Sequence, residues 1–198
     1  METEKEKSLT GKLYRAADHE LFTERQNTKE LIFRFNSLPP SEVDTRNEIV
    51  RTLFCKTGEK FTIEPPFHCD YGSNISIGAN FYSNFNLIIL DCAEIIIGDN
   101  VLIGPNVGIY AASHPVSHEL RSLDYEFAFP VNIGNNVWIG GGVVINPGIT
   151  IGDYSVIGSG SIVTRDIPSN VVAAGNPCRV LREISDKDKI YYFRDFRV

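Results

Sequence analysis

Ile133-Gly134-Asn135-Asn136-Val137-Trp138, Ile139-Gly140-Gly141-Gly142-Val143-Val144, Ile145-Asn146-Pro147-Gly148-Ile149-Thr150, Ile151-Gly152-Asp153-Tyr154-Ser155-Val156 and Ile157-Gly158-Ser159-Gly160-Ser161-Ile162 follow one another without a gap, and Val163 opens the next unit. An aliphatic residue returns every six positions, and glycine follows it directly at four of the five isoleucines. A period of six matches neither a plain strand nor a helix. It fits a short strand plus a corner. The aliphatic residue points inward each time, glycine relieves backbone strain at the turn, and three hexads make one triangular coil. The stretch therefore predicts a mainly β fold, a parallel β-helix whose isoleucines stack as an interior ladder.

Upstream, Ile97-Gly98, Ile103-Gly104 and Ile109 keep the same spacing, while Ile77-Gly78 belongs to the pattern with its phase shifted by two extra residues before Ile97. Residues 113–130 lack the repeat, although Ile109 and Ile133 are 24 positions apart, a multiple of six. A segment of that length expelled from a regular scaffold is more often functional than decorative. Three regions follow: an N-terminal helical segment over 1–60, the β-helix with its extruded loop over 61–170, and a C-terminal cap over 171–198. The first region predicts two helical pieces parted by Leu38-Pro39-Pro40, with Ser41 capping the second and Ile49, Val50, Leu53 and Phe54 forming its apolar stripe.

Composition narrows the function. Hydrophobic residues make up 42% of the 198 and charged residues 22%, enough apolar material for a sizeable core and too much for disorder. No run approaches the length of a membrane span, and the charged start Met1 to Lys7 has no apolar region after it, so a cytoplasmic, membrane-free protein is expected. Cys55, Cys69, Cys92 and Cys178 show no C-x-x-C spacing, which points to reduced thiols and no cysteine metal site. A net charge of −6 argues against nucleic acid as a partner. From Arg165 onward, however, seven Lys/Arg stand against five Asp/Glu, which suits a small phosphate-bearing ligand near that end.

Four segments carry a family resemblance: Phe81-Tyr82-Ser83-Asn84-Phe85-Asn86, Ser113-His114-Pro115-Val116, the hexad block from Ile133 to Gly140, and Ala174-Gly175-Asn176-Pro177-Cys178-Arg179. Together with the helical head and Tyr191-Tyr192-Phe193, they resemble the galactoside and maltose O-acetyltransferases over nearly the whole chain. The resemblance implies a left-handed coil and homotrimers with active sites between subunits. It implies transfer of an acetyl group from acetyl-CoA, as co-substrate, to a sugar hydroxyl, with no metal.

His114 is the candidate general base, since a neutral imidazole at ordinary pH can take the proton of a sugar hydroxyl, a step worth ~10²- to 10⁴-fold. Pro115 biases its backbone toward extended geometry at the start of the loop. Glu119, Asp124 and Glu126 are each able to orient it, and nothing in the sequence selects among them. By resemblance, Asn84 supplies an oxyanion donor, while Asp18, Asp70, Asp91 and Cys92 line the sugar site. Asp70 stands where galactoside enzymes have serine, Cys92 where they have a second aspartate, and Ala16 where they have a sugar-binding aspartate, with Asp18 two residues on. Asp18 read alone is a helix cap and Asn84 a corner residue. Trp138, Gly141, Ser159, Thr164, Arg165, Arg179 and Arg182 match cofactor contacts, the last two near the phosphates. The readings set against this one are the same chemistry on an antibiotic or oligosaccharide acceptor, a zinc lyase of the carbonic anhydrase type, and a non-catalytic scaffold.

Overall fold

In the computed structural model, which describes residues 2–198, the hexads become strands of two to four residues that wrap around three flat faces. The first face stacks Phe61–Ile63, Phe81–Ser83, Leu102–Ile103, Trp138–Ile139, Val156–Ile157 and Val171–Ala174 in parallel. The second stacks Phe67–Cys69, Leu87–Leu90, Gly108–Tyr110, Val144–Ile145 and Ile162–Val163. The third stacks Ile75–Ile77, Ile95–Ile97, Val131–Ile133 and Thr150–Ile151. Strand register aligns Ile77, Ile97, Ile133 and Ile151 on the third face, and Ile89, Ile109, Ile145 and Val163 on the second. All eight are at most 2% exposed, so each contributes roughly 1.5–3 kcal/mol of burial to an axial core.

The glycine after each isoleucine does not serve the turn in the way the repeat suggests. None of these glycines has a positive φ; the left-handed residue lies two positions later, as at Asn80, Asn100, Asn136, Gly142 and Gly160. The glycine is required because the next coil passes against it. A Cβ on Gly104 would come within 2.5 Å of the Gly141 backbone nitrogen, and one on Gly140 within 2.6 Å of that of Ser159. Asparagine tolerates the left-handed corners and also stacks: Asn80 donates to Asn100 at 2.9 Å and Asn100 to Asn136 at 3.2 Å.

The N-terminal region holds three helices rather than two: α1 (Glu4–Leu9), α2 (His19–Ser37) and α3 (Val43–Leu53). Ser41 does not cap α3. Its N-cap is Glu42, without a side-chain cap bond, and the Arg46 guanidinium instead ties the approach by donating to the carbonyls of Pro39 and Pro40 at 2.9 and 3.1 Å. α2 is clamped to the second face where Asn36 exchanges two 2.9 Å hydrogen bonds with the Phe67 backbone and Thr28 donates to the Tyr71 carbonyl. No helix among the described residues is long and apolar enough to cross a membrane.

Residues expelled from the coil between Tyr110 and Val131 fold into a hairpin. Ala112–Ser113 pairs antiparallel with Tyr125–Ala128, with α4 (His118–Ser122) at the tip, and Tyr14–Arg15 adds a third antiparallel strand from the N-terminus. At the far end Arg179–Glu183 turns back antiparallel on Val171–Ala174 and closes the first face, followed by α5 (Lys187–Ile190) and a short hairpin.

Candidate active site

The candidate residues do not form one cluster within a protomer; they divide between two edges of the prism. Asn84, Gly141 and Ser159 each follow a first-face strand and therefore stand above one another on the edge where the chain turns onto the second face. Asp70, Asp91, Cys92, Thr164 and Arg165 follow second-face strands and stand on the next edge, from which the hairpin that carries His114 leaves the coil. A whole face separates Asn84 from His114, about 15 Å at the rise of an extended chain. Trp138 is 54% exposed on the outer surface of the first face, beside Leu102 and Val156 in the ladder and one turn from Gly141.

The second edge is where the repeat is irregular. Residues 70–74, 91–94 and 111–130 all interrupt the coil there, and the polar side chains they bring converge. His114 lies directly after Ala112–Ser113, exposed, with Arg121 closing the hairpin beneath it by donating to the carbonyls of Pro115 and Val116 at 2.8 and 2.6 Å. Of the three loop carboxylates, geometry selects Glu126, whose Oε1 is 3.7 Å from His114 Nε2. Asp124 is occupied by the Ala17 N–H at 2.6 Å, and Glu119 by the Ser117 hydroxyl at 2.5 Å. The 3.7 Å separation is longer than a hydrogen bond, as catalytic pairs often are before substrate binds.

Tyr14 donates its hydroxyl to the other Glu126 oxygen at 2.7 Å and lies beside Cys92, whose thiol donates to Asp70 Oδ2 at 3.5 Å. Arg25 donates to the Tyr71 hydroxyl at 2.5 Å and to the Ala16 carbonyl at 2.6 Å. Burial pushes the Asp70 carboxyl above its ordinary range, opposed by the Cys92 thiol and the Arg25 charge. Burial likewise raises the Tyr14 phenol and the Cys92 thiol, so both stay protonated donors across the accessible pH range. A groove of about 600 Å³ runs from Asp70 between α2 and the second face, lined by Lys29, Phe33, Asn36, His68 and Leu90.

Three of the expected site residues are engaged elsewhere in this geometry. Asp91 has no exposed surface, and its carboxylate is consumed by the backbone N–H groups of Asp70, Tyr71 and Asn74 at 3.0, 2.9 and 3.4 Å, so it shapes the turn that presents Asp70 rather than meeting a sugar. Asp18 is the N-cap of α2, accepting from Glu20 and Leu21, and lines a separate depression with Glu4, Arg15 and Asp124. Arg182 has its guanidinium fork taken by Asp188, at 2.8 and 2.7 Å. Arg179, by contrast, donates only to the Cys178 carbonyl and is exposed, as are Ser159, Thr164 and Arg165. Tyr14, Arg25 and Tyr71 were not legible as site residues, because nothing in their local spacing marks them. Among the described residues no group of three or more His, Cys, Asp or Glu is placed to hold a metal ion.

Comparison with known proteins matches the maltose acetyltransferase hexapeptide capping motif to residues 7–58, the bacterial transferase hexapeptide (six repeats) to 130–165, and the hexapeptide repeat of succinyl-transferase to 94–117. The chain is 55% identical to galactoside O-acetyltransferase of Escherichia coli (strain K12) over 193 residues, covering 98% of this chain and 95% of that one. Among solved structures, a galactoside acetyltransferase in complex with coenzyme A superposes with a TM-score of 0.97 at 54% identity, covering 100% and 99% of the two chains. A maltose O-acetyltransferase from Clostridium difficile 630 does so with 0.92 at 52% identity, covering 93% and 98%. With identity at this level over nearly its full length and the same stacked coil, the chain belongs to the family of galactoside and maltose O-acetyltransferases.

Proposed function

We propose that this chain transfers the acetyl group of acetyl-CoA to a hydroxyl, the 6-hydroxyl, of a galactoside-, glucoside- or maltose-like sugar, with His114 as general base, in a homotrimer. The observation that carries the reading is the position of His114: an exposed imidazole at the head of the expelled hairpin, backed by Glu126, whose charge in turn reaches Asp70. The ring nitrogen facing Glu126 holds a proton, and the other takes the proton of the sugar hydroxyl as its oxygen attacks the thioester carbonyl. Asn84 and backbone amides of its edge donate to the oxyanion that forms. When the tetrahedral intermediate collapses, the carbon–sulfur bond breaks and the imidazolium returns its proton to the departing thiolate. Asp70 accepts from hydroxyls of the acceptor, and the groove along α2 gives room for the remainder of the sugar.

The division of the residues supports a shared site. His114 and Asp70 stand on one edge and Asn84, Gly141 and Ser159 on another, so a neighbour's edge must supply the second half. Apposed faces form the cleft that holds both reactants in register. Trp138 and the glycine-lined edge suit an extended pantetheine arm, and Arg179 suits a phosphate of the nucleotide end. An acceptor screen followed by release of the CoA thiol tests the reading, with galactosides, glucosides, maltose and an antibiotic hydroxyl side by side. Acetyl transfer to the sugars supports it; release confined to a non-sugar acceptor, or none, overturns it.

A further inference from the structure

We infer that Tyr14 is a positioning residue for the transfer, acting through Glu126 on His114; this rests on His114 being the base. Tyr14 is fully buried, yet its hydroxyl is aimed at one oxygen of Glu126, 2.7 Å away, while the other oxygen of the same carboxylate faces His114 at 3.7 Å. The two residues are direct cross-strand partners in the register between Tyr14–Arg15 and Tyr125–Ala128. That strand is in turn paired with Ala112–Ser113, after which His114 follows. A single antiparallel sheet therefore runs from the N-terminal segment through Glu126 to the base.

The N-terminal strand grips the hairpin at three successive residues. Beyond the Tyr14 bond, Arg15 lies over the Tyr125 ring at 5.6 Å, and the backbone of Ala16 and Ala17 donates to the carbonyl and carboxylate of Asp124 at 3.3 and 2.6 Å. A half-buried carboxylate without a partner is free to rotate. Glu126 cannot, because one oxygen is held by a phenol that remains protonated at every accessible pH. The charged and titratable groups facing this carboxylate are His114 on its own hairpin, Tyr14 on the N-terminal strand, and Cys92 and Asp70 on the turns of the second edge, with Arg25 of α2 beyond Asp70. The Cys92 thiol stays neutral and Asp70 offers Glu126 no positive charge, so without the phenol neither of them holds the second oxygen and the carboxylate is no longer fixed toward His114. The consequence is a base whose ring is no longer oriented and whose protonated form loses its partner.

Tyr14→Phe removes the hydroxyl and leaves the ring in its packing. In the intact protein the expected result is a kcat lowered roughly tenfold, with KM for acetyl-CoA and for the acceptor unchanged. The His114 imidazole, identified in nitrogen NMR spectra by its absence from His114→Ala, loses its preference for the tautomer protonated at the nitrogen facing Glu126. Glu126→Gln removes that preference as well, and Tyr14→Phe adds nothing in that background. An unchanged His114 tautomer in a folded Tyr14→Phe protein overturns the inference, as does a full additional loss in the Glu126→Gln background. Turnover surviving in His114→Ala overturns the base assignment itself, and is distinguishable because the NMR spectrum reads the Tyr14 effect without turnover.

Discussion

Asn84 and His114 occupy neighbouring edges of the same prism, with the second face between them, Asn84 beside Ile103 in the coil and His114 on the hairpin that leaves after Tyr110. In the proposed mechanism an oxyanion donor and a base that far apart serve one reacting carbon only across two protomers. Trimers assembled from a mixture of Asn84→Ala and His114→Ala chains therefore recover activity that neither parent has. With random association, about a quarter of the interfaces pair an intact histidine with an intact asparagine. Co-refolding the two inactive variants and measuring thiol release checks this; no recovery in properly assembled trimers would mean that the site lies within one chain.

His114→Ala is expected to lower kcat by ~10²- to 10⁴-fold while leaving acetyl-CoA affinity nearly unchanged. In the proposed mechanism the imidazole acts on a proton in flight and contributes little to cofactor binding, so the loss belongs to the transition state. Asn84→Ala is expected to cost about 10²- to 10³-fold. Equilibrium binding measured by calorimetry beside steady-state rates separates the two effects; a large drop in acetyl-CoA affinity in His114→Ala would place the ring in the cofactor site instead.

The two arginines once grouped as phosphate ligands are expected to part company. Arg179 is exposed with its guanidinium turned only to a neighbouring carbonyl, whereas Arg182 is already engaged in a two-point contact with Asp188. Arg179→Ala should weaken CoA about tenfold, near 1.4 kcal/mol, and weaken a pantetheine analogue hardly at all. Arg182→Ala should leave both affinities close to those of the parent and instead loosen the C-terminal segment. Titration of CoA, dephospho-CoA and the pantetheine analogue against both variants decides it, and equal losses across the three ligands for Arg179→Ala would remove that residue from the phosphate site.

The coil was legible because a six-residue period constrains every turn alike: Ile133, Ile139, Ile145, Ile151 and Ile157 must all face one interior, and they do. The role of the following glycines was legible only in part. Spacing locates them at corners, but whether a corner needs a left-handed residue or close approach depends on where the next coil runs, which is a contact across 16 or more residues for the nearest atom each glycine meets. His114 could be found from the loop and its motif. Glu126 could be narrowed to one of three, and the selection had to await the pairing of Tyr14 with a strand over a hundred residues away. Asp91 shows the converse: a carboxylate of the right type beside the right neighbours, whose burial and backbone bonds are invisible in sequence.

That burial has a measurable signature. Loss of solvation raises the Asp91 carboxyl to about 6, despite backbone hydrogen bonds from Tyr71 and Asn74 that favour its charge and with the nearby Asp70 charge adding to the rise. In an unfolded chain the same group titrates near 3.9. Between those two pH values the folded protein holds more protons than the unfolded one, so this group's contribution to stability is complete below about pH 4 and is lost as pH rises through 6. Asp91→Asn keeps an acceptor for the N–H groups of Asp70 and Tyr71 and removes the titration. Relative to that variant, the parent should therefore lose on the order of 2 kcal/mol of unfolding free energy between pH 4 and pH 7. Denaturant unfolding of both proteins across that range at fixed protein concentration checks the sign; a constant difference, or a parent that gains on the variant as pH rises, would show Asp91 to be charged and well solvated in the folded state.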